Sequence, residues 1–221
     1  MRSQCKPEEI LRRDGLLVRD DLLANTIFSD YARRARNSWQ SQEGWMTRVK
    51  GPGVEQTFPL LPKEKVQEIG SFLDACSMSN PDEFCYLYHS LNKSNENKGL
   101  IEEITRDVIK AWQDCLSNLI AFPYKTNFSL TAYTPHCRLT SHTDYSSVGE
   151  PYRLTLLLYF GGEADGVEPL YFKFNEHQQR IMPRRNRSVL FVPTLETEHW
   201  IQPVPESPTQ SVRLAFSGWL M

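Results

Sequence analysis

The chain has 221 residues, 40% of them hydrophobic and 24% charged, with a formal net charge of −2. This is enough apolar material for one core, and the near balance of acids and bases excludes the cationic excess by which a domain grips nucleic acid. No apolar run approaches the length of a membrane span, and the N-terminus enters charged residues without the apolar stretch of a signal peptide.

Five cysteines (Cys5, Cys76, Cys85, Cys115, Cys137) are scattered and never form a CxxC pair. A disulfide framework or structural zinc site is not expected, and a reducing cytoplasm is the expected compartment.

In chain order, Gly15-Leu16-Leu17-Val18 predicts a short edge strand. Asp20-Asp21 stand where helix caps stand, ahead of Leu22, Leu23, Ile27, Phe28 and Tyr31 at helical spacings. Arg33, Arg34 and Arg36 then fall at the expected helix C-terminus, where positive charge meets the macrodipole favourably. From Ser38 to Pro62 periodicity is lost, and Trp39, Trp45, Met46 and Phe58 alternate with glycine and proline. This reads as a long loop, either a lid or packed on the core.

Pro62 to Cys76 returns to helical spacing, Phe84 to His89 reads as an aromatic-rich strand, and Asn92 to Asn97 as a polar loop. Leu100 to Ile120 carries the strongest helical stripe, with Ile101, Ile104, Val108, Trp112, Cys115, Leu116 and Leu119 on one side. After Pro123 the pattern changes to short strand-like runs: 127–133, 139–144, 153–160, 168–174, 179–183, 188–193, 200–204 and 212–219. Gly161-Gly162, Gly166, Pro203, Pro205 and Pro208 punctuate them. Helices ahead of about eight strands predict an α+β, mainly β fold: a double-stranded β-helix, or jelly roll, with N-terminal supporting helices. The expected organisation is a single domain, with residues 1–123 as helical support and loop or lid, and 124–221 as the core that carries the site.

Within that core, Ser141-His142-Thr143-Asp144-Tyr145 places an imidazole and a carboxylate two residues apart on an expected strand, hence on one face. His199, in Glu198-His199-Trp200, supplies a third candidate ligand. Two imidazoles and one carboxylate on one side of an octahedral ion leave three positions open, which suits non-haem Fe(II) oxygenases. Arg213 alternates with apolar residues on the last strand. A guanidinium turned into a barrel calls for an anion, and a carboxylate is its natural bidentate partner. An arginine–glutamate pair within the protein is the alternative.

These ordered features resemble the Fe(II)/2-oxoglutarate-dependent oxygenases, in particular the prolyl-hydroxylase-like branch, over about Asn127 to Leu220. His142-Thr143-Asp144 is followed by Tyr152-Arg153-Leu154-Thr155-Leu156-Leu157-Leu158-Tyr159, similar to the family's R-x-x-T-x-x-x-Y strand shortened by one residue. Gly166-Val167-Glu168-Pro169-Leu170-Tyr171-Phe172 resembles its GGELxF segment, with Val167 at the second glycine. Arg213 to Trp219 resembles its closing R-x-x-x-x-G-W strand.

The resemblance implies His142, Asp144 and His199 as Fe(II) ligands, Arg213 at the distal carboxylate of 2-oxoglutarate, Tyr159 assisting Arg213, and Tyr133 facing the cosubstrate. It implies Fe(II), 2-oxoglutarate and O2 as cofactor and cosubstrates, and hydroxylation with release of succinate and CO2. The carboxylate of Asp144 stands where related halogenases have Gly or Ala, so oxygenation is expected; desaturation and ring formation share the ligand set. A small molecule, such as an amino acid or natural-product intermediate, is the expected substrate, and a protein prolyl or other side chain is the alternative. No nucleic-acid or membrane partner is expected. Two other classes compete: a non-catalytic jelly-roll binding protein, and a zinc hydrolase, for which His/Asp/His is also a ligand set.

Overall fold

The computed structural model describes residues 7–92, 98–120, 123–145, 151–161, 167–206 and 212–221. The polar segment at 93–97, the turn residues Gly162, Gly166 and Pro208, and Ser211 lie outside the described residues.

Helix α1 (Pro7–Asp14) ends at Gly15, whose φ of +76° reverses the chain into strand β1 (Leu16–Arg19). A Cβ at Gly15 would sit 2.5 Å from Cγ of Phe174, so glycine is required there by both dihedral and space. The edge position expected for this strand is observed: β1 pairs only with strand β10 (Ser188–Phe191), at one end of the sheet.

Helix α2 (Asn25–Ser41) corrects two expectations. Asp20-Asp21 are not its cap, because the helix begins four residues later, behind Ala24. Arg33, Arg34 and Arg36 lie mid-helix rather than at its end. Arg34 binds Glu103 at 2.7 Å and, on its own helix, Asp30 at 3.3 Å, while Tyr31 Oη donates to Asp107 at 2.7 Å. The bonds to Glu103 and Asp107 dock α2 on helix α4 (Lys98–Ala111), and Phe28, Tyr31, Ala32 and Ala35 form its buried stripe.

The expected long helix at 100–120 is two helices, α4 and α5 (Gln113–Leu119), broken at Trp112 (φ −96°, ψ 2°). The fully buried Trp112 indole donates from Nε1 to Ser188 Oγ at 3.0 Å, and the Arg19 guanidinium lies 4.2 Å from its ring centre. Tertiary anchoring of this one ring thus interrupts a stripe that local periodicity would continue.

The segment expected as a long loop is mostly regular structure. Strands β2 (Met46–Gly51) and β3 (Val54–Pro59) form an antiparallel hairpin, and β2 continues onto strand β4 (Tyr86–Leu91). Helix α3 (Lys63–Ser79) follows the hairpin.

The remaining strands are β5 (Thr126–Tyr133), β6 (Arg138–His142), β7 (Leu154–Tyr159), β8 (Leu170–Phe174), β9 (His177–Ile181), β11 (Thr197–Ile201) and β12 (Arg213–Leu220). They join the earlier ones in one antiparallel sheet ordered β1-β10-β7-β12-β5-β4-β6-β11-β8-β9, with β2–β3 branching from β4. The sheet folds over into a double-stranded β-helix, as expected.

Alternation divides its inner strands cleanly. Leu214, Phe216 and Leu220, with Phe128, Leu130 and Ala132 and with Leu154, Leu156 and Leu158, face the helices and form one core. Tyr133, Tyr159, Ala215, Val189 and Phe191 face the barrel interior and join a second core with Phe172 and Leu87. The first face buries the helices; the second lines the site.

Candidate active site

The six residues singled out from the sequence converge at one end of the barrel. His142 is the last residue of β6 and Asp144 lies just past the strand end. His199 sits within β11 directly opposite His142 in register. Neighbouring positions on antiparallel strands bring side chains together without regard to separation in sequence. The rings of His142 and His199 lie 4.1 Å apart, and ligand atoms of His142, Asp144 and His199 all fall within 4.8 Å of one another. Asp144 Oδ1 is 3.5 Å from His142 Nε2, and Oδ2 is 3.7 Å from His199 Nε2.

The surroundings orient these groups. His142 Nδ1 lies 3.0 Å from the Thr140 carbonyl oxygen, which only an N–H can satisfy, and this bond turns Nε2 towards Asp144. Phe84 stacks on the same ring at 4.5 Å. His199 is buried between Phe191 and the barrel wall; burial and the nearby His142 ring depress it to about 3, so its imidazole is neutral. Burial works against ionising Asp144. The His199 and His142 rings and the Thr155 hydroxyl outweigh it and hold the carboxyl well below the usual range. Asp144 Oδ2 accepts from Thr155 Oγ1 at 2.7 Å and from Trp219 Nε1 at 2.9 Å.

Two imidazoles and an oriented carboxylate are the donor set of a divalent metal with open coordination positions. Thr155 and Trp219 received no role from the sequence, although both stand inside the quoted motifs. Their signal was alternation: each shares the inward face of its strand, β7 or β12. The adjacent Gly218 explains why the motif needs glycine before the tryptophan. A Cβ there would come 2.0 Å from the Asn127 carbonyl oxygen and 2.7 Å from Phe128 Cα on β5.

Arg213 opens β12 and is 3% exposed. One terminal nitrogen donates to Tyr159 Oη at 3.1 Å, and the guanidinium lies 5.1 Å from the Tyr133 ring centre and 5.2 Å from that of Tyr159. Its Nε is buried without a hydrogen-bond partner, and no carboxylate of the described residues forms an ion pair with it. An uncompensated buried cation is costly. The orphaned Nε leaves a buried donor free for an anion. Burial raises the Tyr133 hydroxyl above its ordinary range and keeps it protonated beside Arg213.

The triad and Arg213 line one cavity of about 570 Å³. Phe84, just ahead of β4, and Tyr86 and Tyr88 on it line the cavity with aromatic rings, and Ser129, Thr131 and Ser217 line it with hydroxyls. The aromatic density of β4 was visible in the sequence; its place in the site was not.

Residues 128–221 match the model of the 2OG-Fe(II) oxygenase superfamily. No curated protein matches the chain. Among solved structures, a prolyl hydroxylase from Trichoplax adhaerens in complex with a hypoxia inducible factor peptide superposes with a TM-score of 0.62 at 15% identity, covering 96% of this chain and 86% of that one. A prolyl-4-hydroxylase from Pseudomonas putida gives 0.58 at 12% identity over 96% and 95% of the two chains. The non-haem α-ketoglutarate-dependent epimerase SnoN of nogalamycin biosynthesis gives 0.59 at 13%, over 96% and 79%. At these identities the likeness is one of fold. Among the described residues, no helix is long and apolar enough to cross a membrane.

Proposed function

We propose that this chain, whose residues 128–221 match the model of the 2OG-Fe(II) oxygenase superfamily, is a dioxygenase that hydroxylates an unactivated C–H bond of a small molecule. His142, Asp144 and His199 hold the iron, and Arg213 with Tyr159 receives the distal carboxylate of 2-oxoglutarate. Tyr133 supports Arg213 through its ring face. The observation that carries this reading is Arg213: a buried guanidinium without an acidic partner, in the same cavity as two imidazoles and a carboxylate. A jelly roll that only binds ligands has no use for both features together, and a zinc hydrolase has no need of the arginine.

When bound, Fe(II) with 2-oxoglutarate and O2 supplies the oxidising power that hydroxylates the C–H bond while 2-oxoglutarate becomes succinate and CO2. The chain's part is positional. Thr140 fixes the tautomer of His142, and Thr155 and Trp219 aim Asp144. The Asp144 carboxylate would help hold the metal at the position where related halogenases have Gly or Ala, a ligand set that fits oxygenation. Tyr159 holds the guanidinium fork of Arg213 towards the metal side of the cavity, and the aromatic wall of β4 keeps water from the reacting carbon.

The cavity supports a small substrate, since its volume lies in the range that encloses a metabolite-sized ligand. A protein side chain is the second reading, favoured by the fold likeness to prolyl hydroxylases.

The test needs no substrate. Fe(II) and then 2-oxoglutarate are added without oxygen, and the visible absorption band of the chelate is recorded for the parent, His199→Ala and Arg213→Ala. The expected result is a band in the parent, none in His199→Ala, and in Arg213→Ala a band that needs about a hundredfold more 2-oxoglutarate. A parent that binds neither component, by absorption or calorimetry, would falsify the reading and bring the binding-protein class forward.

A further inference from the structure

The cavity holds a second guanidinium. Arg48 lies on β2 opposite Tyr88 of β4; the Tyr88 ring stacks on Tyr133 of β5 at 5.7 Å, and Tyr133 is the register partner of Arg213 on β12. One row across four neighbouring strands therefore reads Arg48, Tyr88, Tyr133, Arg213. Arg48 and Arg213 stand three strand spacings apart, about 14 Å along the sheet. Both line the same cavity as His142, Asp144 and His199.

Arg48 is half-buried and held in place by hydroxyls rather than by an acid. Its Nε donates to Ser90 Oγ at 3.2 Å and one terminal nitrogen donates to Thr57 Oγ1 at 2.8 Å. These bonds fix the plane of the guanidinium and leave its second terminal nitrogen unused. No carboxylate among the described residues forms an ion pair with it. The nearest candidate, Glu55, is taken: one oxygen accepts from Tyr86 Oη at 2.6 Å and the other from Lys50 at 3.3 Å. Arg48 and Lys50 against Glu55 leave one positive charge in excess at this end of the cavity. A planar, oriented and unneutralised guanidinium is the donor geometry for a carboxylate.

We propose that Arg48 anchors the carboxylate of the substrate, so that the substrate is a small carboxylic acid bound across the stacked tyrosines with its reacting C–H at the metal end. This assignment rests on the oxygenase reading for the identity of the metal end and deepens it by naming the substrate class. Two cations in one row then divide the work. Arg213, deeply buried, takes the cosubstrate, and Arg48, nearer solvent, takes an acid that must enter and leave as product.

The experiment titrates a panel of free L-amino acids and aryl carboxylic acids, each paired with its primary carboxamide, onto the protein by calorimetry. Parent, Arg48→Gln and Arg48→Lys are compared, first metal-free and then loaded with Fe(II) and 2-oxoglutarate without oxygen. The best acid is expected to bind the parent about tenfold or more tightly than its amide, with that preference lost in Arg48→Gln and partly kept in Arg48→Lys. The dissociation constant of 2-oxoglutarate is expected to be the same in all three, and matching melting curves confirm that the variants are folded.

The proposal is overturned if no acid in the panel outbinds its amide, or if Arg48→Gln keeps the parent's preference. Binding of inorganic phosphate in place of every acid overturns the carboxylate assignment in favour of a phosphorylated ligand. Failure of the two readings is separable. Arg48-dependent acid binding to a protein that never forms the 2-oxoglutarate chelate sinks the oxygenase reading alone, and a normal chelate without acid preference sinks the anchor alone.

Discussion

The two faces of β12 are made by the same eight residues and obey opposite rules. On the helix side, Leu214, Phe216 and Leu220 are buried among apolar neighbours, with Phe128 stacked on Phe216 at 4.7 Å. On the barrel side, Arg213, Ser217 and Trp219 point into a cavity and carry polar groups at positions where the fold alone would prefer hydrocarbon. Strands β5 and β7 repeat the division, with Leu130, Leu154, Leu156 and Leu158 outward and Thr131, Tyr133, Thr155, Leu157 and Tyr159 inward. Period-two alternation therefore separates stability from chemistry within single strands: one face supplies burial energy and the other spends some of it on preorganised polar groups.

The sharpest way to break this comparison is to truncate one residue from each face. Phe216→Ala is expected to cost about 3–5 kcal/mol of stability, because a fully buried ring is lost from a packed core. In chemical denaturation its midpoint should fall steeply, while any molecules still folded bind 2-oxoglutarate normally. Arg213→Ala should do the reverse, weakening 2-oxoglutarate about a hundredfold and leaving the apo protein as stable as the parent or more so. If Arg213→Ala unfolded the protein as readily as Phe216→Ala, Arg213 would be a structural group with an internal partner, and the division of faces would fail.

How much of this was legible in the sequence follows the same division. The strands of the C-terminal half, and the metal and arginine candidates on them, could be read because alternation, turn residues and motif order agree there. The hairpin β2–β3 could not. The buried face of β2 presents Thr47, Val49 and Gly51, while five of the six residues of β3 are exposed, so neither strand shows apolar alternation. Thr47 is inside because it is a hydrogen-bonding partner: its Oγ1 meets His89 Nδ1 at 3.1 Å and accepts from Leu61 N at 2.9 Å. Pairing of that kind is set by tertiary contact and leaves no periodic trace. The break at Trp112 is the same lesson in a helix. The role of Arg48 was hidden with the hairpin that carries it.

His89 gives a pH test of the polar inlay behind the site. It is 2% exposed, between the hydroxyls of Thr47 and Thr134 with the Cys137 sulfur 3.7 Å away, and burial lowers its pKa from 6.5 to about 4. Cys137 is pushed up by burial to about 11, so no charged group compensates a protonated ring. The unfolded chain then binds a proton that the folded one refuses between about pH 6.5 and 4. Stability must rise with pH through that window and be lost on acidification, by up to about 3 kcal/mol from this residue. His89→Gln, which keeps a hydrogen-bonding side chain, is expected to flatten the slope of stability against pH by about one proton. An unchanged slope would mean that His89 titrates normally.

The smallest expected effect sharpens the comparison most, because it concerns an inward-facing residue that would reach the metal only through Asp144. Trp219 stacks on Tyr152 at 4.5 Å and donates Nε1–H to Asp144 Oδ2. Trp219→Phe keeps an aromatic ring for the stack and removes only the donor. Asp144 retains Thr155, so the carboxylate stays oriented but loses one of its two hydrogen bonds. Partners of this kind typically set metal affinity by ten- to a hundredfold. With Thr155 still in place the lower end is expected, about a tenfold weaker Fe(II) dissociation constant by anaerobic titration, with the denaturation midpoint close to the parent's. A change in stability without a change in metal affinity would place Trp219 with the apolar face of β12, as packing; a change in affinity alone assigns the indole nitrogen to the metal site and explains why the strand ends in Gly218-Trp219 rather than in any aromatic.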